Sequence, residues 1–150
     1  MDDIMNDLIL ILTGVAGSVL TFYTSTYLKQ GAVRASALLS LIVALFFHIF
    51  PSVCNSYLTI HIPMVFIGAS FIGMVSTKTN VNYFHLILAG CLFSIIYTYK
   101  DDVFSGYGGA LGTIAGIALL TSFGISALFS KNSYISKRFS KLTPSDDTKP

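Results

Sequence analysis

Few side chains in this sequence can do chemistry, and most of them lie in long apolar runs. Tyrosines apart, His48, His61, His85, Cys91 and Arg34 are the reactive residues within those runs, and Cys54 sits in a turn between two of them. No carboxylate joins them. Asp occurs at positions 2, 3, 7, 101, 102, 146 and 147, and the chain has no Glu. Carriers driven by protons or cations usually place an acid within the membrane as the titrating or coordinating group. Intramembrane hydrolases of the aspartyl or metal type need carboxylates or ligand clusters there as well. The expectation is therefore a protein that is not an enzyme and carries no cofactor and no metal.

His48 and His61 flank the turn cluster Pro51-Ser52-Val53-Cys54-Asn55. They are expected on neighbouring antiparallel helices, with both imidazoles in the outer third of a bilayer. Together they would form a small polar vestibule titrating near pH 6.5. The simpler reading is two interfacial histidines bonded to backbone or headgroups. Two histidines without a third ligand do not define a metal site. His85, one turn inside a helix end, reads as interfacial, and Arg34 reads as a snorkelling side chain. Cys54 and Cys91 differ in expected depth by about 10 Å, beyond disulfide reach.

Small residues form the richest pattern. Gly108, Gly112, Gly116, Leu120 and Gly124 recur at four-residue steps, a doubled GxxxG that lets helix backbones approach closely. Ser105 is a candidate cap for that helix, and no GKS or GKT follows to make a phosphate loop. The ridge has three readings: packing on another helix of the chain, an oligomer seam, or a pore wall of exposed backbone. Pro63 interrupts an earlier helix and is followed by Gly68, Ser70 and Gly73. Thr13, Gly14, Gly17, Ser18 and Thr21 mark the first helix, and Ser36, Ser40, Ala44 and His48 step along the second. Such faces can pack closely or line a narrow polar path. Ser70 and Gly73, or Gly14 and Gly17, are the expected neighbours of Gly112 and Gly116 if the contact is internal.

The elements that position these residues follow from composition. The chain is 53% hydrophobic and 11% charged, with a mean hydropathy of +0.73. A soluble domain carries about a quarter charged residues. Residues 8–28, 35–77, 79–99 and 103–130 hold no Asp, Lys or Arg. A span needs roughly 20 apolar residues, so the sequence predicts an all-α, polytopic membrane protein. Its five transmembrane helices are expected at 8–28, 32–50, 56–75, 82–99 and 108–129, followed by a basic tail over 131–150. The acidic start and the length of the first run argue against a cleaved signal peptide.

Lys and Arg set the orientation. Lys29, Arg34, Lys78, Lys131, Lys137, Arg138, Lys141 and Lys149 fall on one side of five spans, and only Lys100 falls on the other. The N-terminus is expected outside and the C-terminus in the cytoplasm, with a bacterial inner (plasma) membrane as the location. Tyr27, Tyr57, Tyr83, Tyr99 and Tyr107 fall at proposed span ends, and Tyr23 and Tyr97 within about a turn of one, as headgroup-level aromatics should. In the tail, Ile135, Phe139 and Leu142 share one helical stripe among the basic residues. Lys131, Lys137, Arg138 and Lys141 are the candidate contacts to anionic headgroups; alternatively the tail is a topology signal only. Pro144 to Pro150 is expected to be disordered.

Three functions follow. The first is a transport or channel module acting as an oligomer or with a partner subunit, suggested by the broken third helix and the small-residue faces. The second is a non-transport anchor or assembly subunit of a larger complex. The third is a holin-like permeabilising protein. The expected partners are the bilayer and a second membrane chain, with no nucleic acid.

Overall fold

The computed structural model describes residues 2–29, 31–75, 82–99 and 108–140. All of its secondary structure is helical: α1 (Asp2–Tyr27), α2 (Ala32–Ile49), α3 (Ser56–Gly73), α4 (Tyr83–Tyr99) and α5 (Gly108–Ser140). No strand occurs among the described residues. Four helices are long and apolar enough to cross a membrane, over Ile4–Tyr27, Ala32–Ile49, Ser56–Gly73 and Gly109–Phe129. The fifth, α4, is equally apolar but has 17 residues. These four helices fit a membrane-embedded protein.

Helix ends follow local chemistry. α1 starts earlier than the charge-free run, at Asp2. The α1–α2 link turns sharply at Gly31, whose φ of 83° suits a residue without a Cβ. α3 runs through Pro63 as one helix. α5 does not stop near Phe129: it continues to Ser140, since no proline occurs before Pro144. Lys131, Lys137 and Arg138 therefore lie on an extension of α5, while Lys141 and Leu142 lie outside the described residues, as do Lys78, Lys100, Ser105 and Tyr107.

α3 is the hub. It packs against all four other helices, while α1 also meets α2 and α4, and α5 also meets α4. Half of the α3 span is buried against 11% for α2. Its buried residues include Leu58, Ile62, Val65, Phe66, Ala69 and Ile72. Leu10 and Phe22 of α1, Leu86 and Phe93 of α4, and Ile114 and Ala118 of α5 complete the core. The outer surface is strongly apolar. Leu38, Leu41, Ile42, Leu45 and Ile49 of α2 and Leu120, Leu128 and Phe129 of α5 are all exposed. So large an apolar surface is unfavourable in water and suits hydrocarbon.

Candidate functional site

The polar groups of the core lie on helix–helix contacts, and small residues bring those helices together. α1 and α4 run antiparallel in a regular register. Ser94 Oγ donates to the Leu10 carbonyl at 3.0 Å, and Ser18 Oγ donates to the Leu86 carbonyl at 3.1 Å. Midway between these bonds Gly14 faces Gly90. A Cβ on Gly14 would collide with Ser94 Oγ and lie 2.9 Å from the Gly90 carbonyl oxygen. A Cβ on Gly90 would lie 2.9 Å from the Gly14 carbonyl oxygen and 3.0 Å from Ser18 Oγ. One turn further along, the rings of Phe22 and Tyr83 meet edge to face at 5.9 Å.

α1 and α3 run parallel and equally close. A Cβ on Gly17 would sit 3.1 Å from both the Ala69 Cβ and the Phe66 carbonyl oxygen. One on Gly73 would strike the Ser18 carbonyl oxygen and the Thr21 side chain. Gly14, Gly17 and Gly73 are thus contact glycines, but they serve α1, α3 and α4 rather than α5. Gly68 is different in kind: the Phe93 ring of α4 occupies the space its side chain would take.

α2 joins through serine. Ser36 Oγ lies 2.7 Å and Ser40 Oγ 3.3 Å from Ser70 Oγ, which also bonds the Ile67 carbonyl at 2.7 Å. The hydroxyl stripe of α2 is therefore consumed in a hydrogen-bonded cluster against α3. On the far side, Ser122 Oγ of α5 donates to the His85 carbonyl of α4 at 3.0 Å.

The outer histidines differ in exposure and in partners. His61 is half-buried and its ring lies tilted against that of Tyr57, with centroids 4.1 Å apart. Its Nδ1 lies 2.9 Å from Tyr97 Oη, which is also 3.5 Å from Met64 Sδ. His48 is exposed and makes no hydrogen bond or ring contact among the described residues. His61 finds two tyrosines rather than His48, because α3 presents it towards α4. Tyr97 lies within a turn of the end of α4, as expected, with its side chain buried at 3% exposure. Tyr27 and Tyr99 are well exposed, as a belt requires. His85 is half-buried beside Phe123, and Arg34 is exposed near the start of α2. Cys54 and Cys91 are both free, and no metal-binding cluster occurs among the described residues.

The glycine ridge of α5 requires the main correction. Among the described residues, nothing lies within 4 Å of a Cβ placed on Gly109, Gly112, Gly116 or Gly124. Gly108 is the first residue of α5. α5 packs inward through Ile114, Ala115, Ala118 and Ser122 instead. Alanine and serine allow an approach nearly as close as glycine does, so the ridge was not needed for internal packing. The expected internal contact of Gly112 and Gly116 with α1 or α3 is therefore not made. Thr113 and Thr121 are exposed on the same helix and bond the carbonyls of Gly109 and Ile117 at 2.9 and 2.8 Å.

A pattern missed in the sequence underlies the α1–α4 contact: Leu10-Ile11-Leu12-x-Gly14-x-x-x-Ser18 recurs as Leu86-Ile87-Leu88-x-Gly90-x-x-x-Ser94. No family model matches the chain, and neither a curated protein nor a solved structure does.

Proposed function

We propose that the chain is a five-span integral membrane protein, N-terminus outside and C-terminus cytoplasmic, that works by lateral association as a membrane subunit. The observation that carries this is the free glycine ridge of α5. A Cβ on Gly112, Gly116 or Gly124 would meet nothing within 4 Å among the described residues. In hydrocarbon, helices gain little by hiding apolar surface from lipid, and close backbone packing is a main source of association. Each glycine in a helix costs about 1 kcal/mol relative to alanine in water, and a ridge of them is hard to account for on a helix that only faces lipid. A second copy in the same orientation, or a partner subunit, would fill it.

Eight basic residues against one support the orientation. The in-register pairing of α4 with α1 supports a fifth span despite its 17 residues. A transport or channel module, the first expectation from the sequence, becomes the second reading, favoured by the outward hydroxyls of Thr113 and Thr121 beside the ridge. In that reading the path lies between chains, along α5.

Cross-linking tests both. In a cysteine-free background, Gly116→Cys should form a disulfide dimer in native membranes, or trap a partner subunit. Gly116→Leu should abolish that assembly if the ridge is a seam. If it is a pore wall, Gly116→Leu should leave assembly intact and block flux in proteoliposomes. No cross-link, together with wild-type native-gel behaviour for Gly116→Leu, overturns association through α5.

A further inference from the structure

We infer that the chain is an inverted repeat: the α1–α2 and α4–α5 hairpins are two copies of one unit, inserted in opposite directions and joined through α3. The inference rests on the five-span reading, because it requires α4 to cross the membrane against α1.

Three independent features support it. The first is sequence. Leu10, Ile11, Leu12, Gly14 and Ser18 recur as Leu86, Ile87, Leu88, Gly90 and Ser94. The same displacement along the chain carries Tyr23 onto Tyr99 and Ala32, the first residue of α2, onto Gly108, the first of α5. It then carries Phe47 onto Phe123 and Ile49 onto Ile125. The glycine steps of α5 at 112, 116 and 124 fall on the small or polar steps of α2 at 36, 40 and 48.

The second is geometry. A two-fold axis through the Gly14–Gly90 contact exchanges the two serine bonds, Ser94 to Leu10 and Ser18 to Leu86. It exchanges the two glycine approaches as well, each 2.9 Å from the other's carbonyl oxygen. Burial follows: Leu10, Gly14, Gly17, Ser18 and Thr21 are buried, and so are Leu86, Gly90, Phe93, Ser94 and Tyr97.

The third is topology. α1 packs on α2 as α4 packs on α5, and α3 touches both members of each pair. Repeats of this kind, related by an axis in the membrane plane, are a recurrent way to build membrane proteins. A single helix cannot sit identically against both copies, and the departure is localised. α1 approaches α3 closely at Gly17, whereas the equivalent residue of α4 is Phe93, whose ring fills the wider gap against Gly68. The outer helices diverge further, with α2 turning Ser36 towards α3 while α5 turns Ile114 and Ala118 inward.

Two measurements test the inference separately from the topology. In a Cys54→Ser/Cys91→Ala background, Val33→Cys and Gly109→Cys occupy equivalent exposed positions, each the second residue of its helix. A membrane-impermeant thiol reagent applied to intact cells should label Gly109→Cys and spare Val33→Cys. Labelling of both or neither would overturn the five-span topology and the repeat with it. In purified full-length protein, Ser18→Ala and Ser94→Ala should lower the melting temperature by the same amount within error. Opposite-side labelling with one serine variant silent and the other damaging would leave the topology standing and overturn the repeat.

Discussion

Replacing Gly14 with alanine isolates what the α1–α4 contact contributes. The added methyl would meet Ser94 Oγ directly and lie 2.9 Å from the Gly90 carbonyl oxygen. Neither neighbour can yield easily. The carbonyl is helix backbone, and Ser94 is fully buried and bonded to the Leu10 carbonyl at 3.0 Å. The helices must move apart or Ser94 must turn out of its place, an overpacking strain of about 1–3 kcal/mol. Displacing Ser94 also weakens an interhelical hydrogen bond, a contribution that averages about 0.6 kcal/mol in bilayers. Gly116→Ala is the matched control. It gains the same helix propensity, about 1 kcal/mol in water, but its methyl meets nothing within 4 Å among the described residues. Propensity cancels between the two variants, so Gly14→Ala should be less stable than Gly116→Ala by about 2–4 kcal/mol. Unfolding titrated with a denaturing detergent in mixed micelles measures that difference. If Gly14→Ala matches Gly116→Ala in monomeric protein, the close crossing is refuted. If Gly116→Ala is the damaging change and its effect depends on protein concentration, the ridge is occupied by another chain.

Three further substitutions probe the rest of the core. Phe93→Ala should destabilise by about 3–5 kcal/mol, because it opens a cavity in front of Gly68, and detergent unfolding reads the loss. Ser70→Ala should cost more than Ser36→Ala or Ser40→Ala, by about 1 kcal/mol in the same assay, since Ser70 alone contacts both other hydroxyls. His61→Phe should lower the melting temperature through loss of the Tyr97 contact, whereas His48→Ala on the exposed face should leave it unchanged.

The helices were legible because bilayer spans leave a coarse signal: long runs without charge, bounded by turns and tyrosines. Faces were partly legible. Ser36, Ser40 and Ser70 were singled out by spacing and do meet, and Gly14, Gly17 and Gly73 do pack closely. What spacing does not carry is which small face meets which. Five helices of similar hydropathy can be ordered in many ways, and alanine or serine serves for close approach nearly as well as glycine. The ridge with the most glycines drew the strongest expectation, yet Ala115, Ala118 and Ser122 were sufficient to dock α5. Tyr97 shows the same limit. Its depth near the end of α4 was legible, but the side of the helix it occupies, facing His61, was not, because rotation about a helix axis is set by neighbours the sequence does not order. The repeated Leu-Ile-Leu-x-Gly-x-x-x-Ser was readable in the letters, and hydropathy averaging conceals it because both copies score simply as apolar.

The use made of the buried hydroxyls bears on how this protein could act. Ser18, Ser94, Ser36, Ser70 and Ser122 are buried and bonded within or between helices of the same chain. A polar path needs hydroxyls directed at a lumen, free to replace the hydration of whatever passes. Here redirecting them would break the contacts that hold α1 to α4 and α2 to α3. Thr21 and Thr26 depart from this pattern, as the Oγ1 of each is buried without a partner among the described residues, Thr21 beside the α1–α3 contact at Gly73. Two orphaned hydroxyls near one end of α1, each a cost of about 1–3 kcal/mol, do not make a continuous path. The outward groups of α5 are arranged otherwise, with open backbone at Gly112 and Gly116 and exposed hydroxyls at Thr113 and Thr121. If the protein moves anything across the membrane, the route consistent with its hydrogen bonding runs along α5 between chains, and a monomer should be silent in any flux assay.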